Sequence, residues 1–158
     1  MDCIVFNELS DLISIDSTTI DKLTSPEFSL TFDIYIDNDI GKRTLVSKYR
    51  QFSISVIKNE INIASDWTWS STGVFINLKT WTRVAVTYNY NSKKCKIYID
   101  GKLCSEKVLK GDFIINNYPV EFGLYIETDV KLIKLSKIGL YVKELSAKEV
   151  INLVNGDY

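Results

Sequence analysis

From Leu78 to Lys102 the chain reads LKTWTRVAVTYNYNSKKCKIYIDGK, and no other stretch restricts the fold as strongly. Val84, Val86 and Tyr88 fall on one side of an extended backbone, and Arg83, Ala85 and Thr87 on the other. That period of two marks a strand with two different faces. Lys96 to Ile99 alternates again and runs into Asp100-Gly101. An Asp-Gly pair between alternating runs predicts a two-residue hairpin turn, because both central positions need positive φ.

The same alternation recurs along the chain. Phe28, Leu30, Phe32, Ile34 and Ile36 are expected inward, and Ser29, Thr31, Asp33 and Tyr35 outward. Further strands are expected at 3–6, 12–15, 44–49, 52–57, 60–64, 67–70, 74–76, 120–126 and 130–142, with Val108, Ile114 and Ile115 adding to the later ones. Lys58-Asn59 reads as a turn. One helix is predicted: Ser146 and Glu149 form a capping box, Leu145 and Val150 a hydrophobic staple, and Asn155-Gly156 a stop near Val154. With 158 residues and 46% hydrophobic content, a single all-β domain over 1–158 can bury roughly 70% of its unfolded surface.

Four pieces, in order, resemble the laminin G-like branch of the concanavalin A-like lectin/glucanase superfamily. They are Phe28 to Ile34, Thr44 to Lys48, Leu78 to Lys102, and Ile138 to Tyr141 followed by Leu145 to Val150. The resemblance implies an antiparallel two-sheet jelly-roll sandwich closed by one short C-terminal helix. It also implies that Trp81 is a core residue and that Phe122-Gly123 ends a strand. Non-catalytic glycan binding is the function it most often implies.

Composition removes several chemistries. There is no histidine, which excludes Ser-His-Asp and Cys-His catalysis and any imidazole switch. Three cysteines cannot by themselves complete a tetrahedral structural zinc site. A two-residue turn at Asp100-Gly101 would set Cys104 opposite Ile97 and Cys95 opposite Glu106. The two cysteines would then lie on a diagonal about 7–8 Å long, too long for a disulfide. Free thiols and a reducing cytosol follow. A net charge of −1 argues against nucleic acid. Residues 1–40 hold nine acids and one base, a net of −8, and the rest carry +7. Internal compensation between early and late strands accounts for that split; head-to-tail contact between copies is the alternative. The N-terminus has no secretion signal and no stretch is long enough to insert in a membrane.

Paired carboxylates at alternate strand positions, as in Glu-x-Asp-x-Glu, would signal a glycosidase. The chain has none, so it is not expected to be an enzyme. Trp67 and Trp69, at i and i+2 of an extended segment beside Asp66, are expected to share a face. Aromatic faces stack on the C–H faces of sugar rings while polar neighbours orient them; the alternative is that both indoles serve core or sheet-to-loop packing. Tyr88, Asn89, Tyr90 and Asn91 form a polar-aromatic loop suited either to recognition or to ordinary loop packing. Asp37 and Asp39 could hold calcium, or form a solvated acidic turn.

The expectation is therefore a non-catalytic recognition or adhesion domain for a glycan or cell-surface polysaccharide. Absence of an export signal, together with abundant Ile, Asn and Lys, suggests synthesis in the cytosol and display on a bacteriophage virion, in contact with other virion proteins. A purely structural virion component is the alternative.

Overall fold

The computed structural model describes residues 4–6, 13–15, 23–38, 41–123 and 133–156. Among these residues twelve strands form two antiparallel sheets. The first sheet contains β1 (Ile4–Phe6), β12 (Ile133–Tyr141), β3 (Glu27–Ile36), β8 (Thr82–Asn89), β9 (Lys94–Ile99) and β10 (Lys102–Val108), in that spatial order. The second contains β2 (Ile13–Ile15), β11 (Val120–Phe122), β4 (Lys42–Lys48), β5 (Phe52–Ile57), β6 (Glu60–Ser65) and β7 (Thr68–Phe75). Helix α1 (Ala147–Asn155) follows. This is the expected jelly-roll sandwich. Residues 114–115, read as strand in the sequence, are irregular, and the expected strand residues at 3, 12, 124–126 and 130–132 lie outside the described set. Among the described residues no helix is long and apolar enough to cross a membrane.

The inward residues of β3 are all buried, as are Val84, Val86 and Tyr88 of β8, in one core with Val46, Phe52, Ile54 and Ile63 of the other sheet. Phe28 stacks on Tyr88 at 4.7 Å and meets Phe52 at 5.0 Å, joining the two sheets through one aromatic cluster. The Tyr88 hydroxyl is buried without a hydrogen-bond partner among the described residues, and burial holds its pKa well above the ordinary value. An unmet buried polar group destabilises by about 1–3 kcal/mol. Tyr88→Phe is therefore expected to raise stability by about 1 kcal/mol, read from the urea midpoint; a lower midpoint would mean that the hydroxyl has a partner after all.

The outward face of β3 and β8 is covered rather than wet. Ala85 and Tyr98 pack against Leu145, Val150 and Leu153, so α1 seals this side. The Ser29 hydroxyl donates to the Lys143 carbonyl at 2.8 Å and accepts from the Leu145 amide at 3.0 Å, fixing the helix approach. The capping box forms as its sequence predicts, and Gly156 ends the helix in the left-handed region. Asp33 of the acidic N-terminal part is bonded to Arg83 at 2.7 Å, which favours internal compensation of the charge split.

Three hairpin turns place both central residues at positive φ: Lys58-Asn59, Asp66-Trp67 and Asp100-Gly101. At Gly101 a β-carbon would overlap the Ile151 side chain of α1, so glycine is required there by packing as well as by φ. After this turn the register slips between Leu103 and Ser105, which sets Lys107, not Glu106, opposite Cys95. The expected pairing of Cys104 with Ile97 is thus corrected by a bulge at Cys104. The outcome for the thiols is unchanged: Cys95 is buried, Cys104 exposed, and both are free.

Candidate functional site

Directly paired residues on neighbouring strands project to the same side of a sheet. In the second sheet the pairings Glu121–Ser47, Ser47–Ser53, Ser53–Ala64 and Ala64–Trp69 chain five side chains into one row across β11, β4, β5, β6 and β7. The next row is Thr44, Ser55, Asn62 and Ser71, with Thr44 Oγ1 and Ser55 Oγ 3.0 Å apart. Both rows lie on the face away from the core. Of these residues Thr44, Ser47, Ser53 and Ala64 are small and make a floor, and the larger side chains around them make walls. The result is a groove of about 410 Å³, bounded by Lys42, Tyr49, Trp67, Trp69 and Glu121. That volume falls in the range of small-ligand sites.

Two adjacent hairpin tips form its rim. In the β4–β5 turn Arg50 has φ 58°, and in the β6–β7 turn Asp66 and Trp67 have φ 42° and 67°. The tips are tied by Arg50 Nε to Asp66 Oδ1 at 3.3 Å and by the edge-on contact of Tyr49 with Trp67 at 5.1 Å. Tyr118 extends the aromatic rim, 4.5 Å from Tyr49. A left-handed conformation costs a residue with a β-carbon about 1–2 kcal/mol, and a bulky tryptophan there is uncommon. Backbone strain of this kind gathers at functional sites. The expected sharing of one extended face is corrected: Trp67 occupies the turn, and only Trp69 lies in the strand. Both indoles nevertheless border the same groove, 61% and 39% exposed, so packing into the core does not account for them. The Lys42 ammonium lies 5.4 Å from the Trp69 ring centre.

The rim is held from behind. Lys48, only 3% exposed, donates to Asn116 O at 2.9 Å, Asn116 Oδ1 at 2.7 Å and Tyr118 O at 2.7 Å. Burial lowers its pKa. Asn116 Nδ2 in turn donates to the Tyr49 carbonyl at 2.8 Å. The Tyr90 hydroxyl donates to Gln51 O at 2.8 Å and lies 2.8 Å from Ser65 Oγ, linking the roots of both hairpins.

Tyr88, Asn89 and Tyr90, expected at a ligand surface, do not reach the groove. Tyr88 is fully buried and Tyr90 is 5% exposed, with burial pushing the Tyr90 pKa up to about 12. Tyr88 is an inward position of β8 and Tyr90 lies one residue past its end, and both rings pack against Phe28 inside the sandwich. Asn89 closes β8 in the first sheet, where its Nδ2 donates to Glu144 Oε2 at 2.7 Å. Trp81, expected in the core, is instead 36% exposed and packs 5.6 Å from Tyr35. At the acidic turn, the Asp37 carboxylate accepts from Asn38 Nδ2 at 3.0 Å; Asp39 lies outside the described residues. Among the described residues no three His, Cys, Asp or Glu side chains gather as a metal site.

Sequence reasoning missed Lys42, Lys48, Tyr49, Arg50, Tyr118 and Glu121. One local signal was available: on β5 the outward positions are Ser53 and Ser55, and small side chains on an open sheet face leave room for something else.

No curated protein is a significant sequence match. Solved structures share the fold across most of the chain. The receptor-binding domain of botulinum neurotoxin C/D mosaic serotype aligns with a TM-score of 0.79 at 16% identity, covering 96% of this chain and 42% of that one. The binding domain of botulinum neurotoxin DC, in complex with rat synaptotagmin II, gives 0.74 at 19% identity, covering 93% and 40%. Botulinum neurotoxin type C gives 0.72 at 20% identity, covering 93% and 39%. The chain thus spans about two fifths of each of these structures. A family model matches residues 10–150, and on that match the chain belongs to the concanavalin A-like lectin/glucanases superfamily.

Proposed function

We propose that this chain is a non-catalytic glycan-recognition domain and that the groove on its second sheet is the binding site. The observation that carries the reading is the exposed Trp67–Trp69 pair beside a floor of small polar residues. Sugar rings offer C–H faces to indoles and hydroxyls to Ser47, Ser53 and Glu121. Related folds lend support: cell entry of botulinum neurotoxin type C depends on interaction with two ganglioside molecules, and the DC binding domain forms a complex with SialylT. Those ligands belong to domains of which this chain matches two fifths.

The placement of acids supports the non-catalytic part. Glu121 lies on β11 and Asp66 at the tip of β6, three strand steps away. At about 4.8 Å per step that is roughly 14 Å, wider than the 5–9.5 Å or so that separates glycosidase carboxylates. Asp66 is also paired with Arg50.

Display on a bacteriophage particle and contact with other virion proteins rest on the sequence features alone; the toxin neighbours add no support. A calcium role for Asp37 and Asp39 also stands as a proposal, separate from the groove.

A broad glycan array, run with calcium and again with chelator, tests the reading. Selective binding is expected, and survival of the signal in chelator would locate the groove apart from the Asp37–Asp39 turn. Silence from a folded sample would overturn glycan recognition and favour a surface that serves protein assembly.

A further inference from the structure

Resting on glycan recognition in the groove, we infer that the ligand is a neutral oligosaccharide and that Glu121 discriminates against acidic sugars. Three observations lead there. First, each cation bordering the groove is already engaged. An ammonium has three donors, and those of Lys48 meet three acceptors in segment 116–118. Arg50 is paired with Asp66. Lys42 is held over Trp69 and has a further interaction. Among the described residues each cation of the groove thus already has a partner, and a sugar carboxylate would have to compete with it.

Second, the polar groups that remain open on the floor suit hydroxyl-rich partners. Ser47, Ser53 and Glu121 line the groove and make no side-chain hydrogen bond or ion pair among the described residues. Glu121 is half-buried between β2 and β4. A carboxylate accepts hydrogen bonds, and hydroxyls donate them. A second carboxylate brought beside it would meet like-charge repulsion in a partly desolvated place.

Third, the row from Glu121 to Trp69 crosses four strand steps, roughly 19 Å at about 4.8 Å each. With bonds of about 1.5 Å, one six-membered ring covers only a fraction of that length. An oligosaccharide is needed to stack on Trp69 at one end and donate to Glu121 at the other.

The test is a glycan array carrying matched chains with and without terminal sialic acid or uronate, followed by calorimetric titration of the best ligand. Wild type, Glu121→Gln and Trp69→Ala are compared, each checked for folding by circular dichroism. Neutral chains are expected to bind about tenfold or more tightly than their acidic partners. Glu121→Gln is expected to weaken neutral binding about tenfold, the loss of a charge-assisted hydrogen bond, and to narrow the neutral-to-acidic gap. Trp69→Ala is expected to weaken both classes equally. Equal or tighter binding of acidic chains, or an unchanged preference in Glu121→Gln, would overturn the inference while leaving glycan recognition standing. Silence on every glycan would overturn both.

Discussion

Replacing Trp67 and Trp69 together by alanine is expected to weaken glycan binding by about 100-fold or more while leaving the fold intact. Buried aromatic anchors at interfaces carry about 2–4 kcal/mol each, and two of them border this groove. Stability is expected to fall by no more than about 3 kcal/mol, because both rings stay partly exposed in the free chain. Trp67 meets Tyr49 edge-on and Trp69 lies beneath the Lys42 ammonium, interactions of order 0.5–1.5 kcal/mol at most. The measurement is calorimetric titration beside urea unfolding, with Trp81→Ala as control. Trp81 is also exposed, but it packs on Tyr35 of the first sheet, so its removal should leave binding untouched. Unfolding of the double variant would mean that the indoles are structural, and unimpaired binding would move the site elsewhere.

Phe28→Ala is expected to destabilise the chain by about 3–5 kcal/mol, the usual result of emptying a large aromatic site in a packed core. For a domain whose whole stability is about 5–15 kcal/mol, that is a severe truncation. Phe28 sits at the centre of the cluster with Tyr88, Phe52 and Tyr90, and its loss reaches the groove through them. Tyr90 holds Gln51 and Ser65 from inside, and those residues root the two hairpins whose tips form the rim. A shifted Tyr90 would loosen both. The urea midpoint should fall, and glycan affinity of the folded remainder should fall with it. A loss under about 1 kcal/mol would show that the cavity collapses and that the cluster is not what unites the sheets.

Much of the architecture was legible in the chain. β5 spans Phe52–Ile57 as its alternation predicts, the capping box at Ser146 and Glu149 forms, and Lys58-Asn59 and Asp100-Gly101 turn as hairpins. These are local events, set within a few residues by side-chain period, turn chemistry and capping. Where local reasoning failed, a neighbour distant in sequence had decided the matter. Cys104 left its expected register through a bulge. Trp81 fell outside the core, although the family resemblance implied the opposite. Tyr88 and Tyr90 looked like a recognition loop because loop and strand end are written in the same residues; the Phe28, Phe52 and Phe113 rings packed on them make them core.

The site shows the same division. Trp67 and Trp69 could be named as candidates from type and spacing, and the structure sets both on the border of one groove. Their partners were not, because Ser47, Ser53, Ala64 and Glu121 become one row only when β11, β4, β5, β6 and β7 lie side by side. An all-β chain, its hairpins, its helix and one pair of candidate aromatics could be read directly from the residues, for each of these depends on positions close along the chain. Which sheet face stays open, which cations are already partnered and which carboxylate is left unpaired emerge only in the assembled sandwich, because strand order and register join residues that the sequence holds far apart.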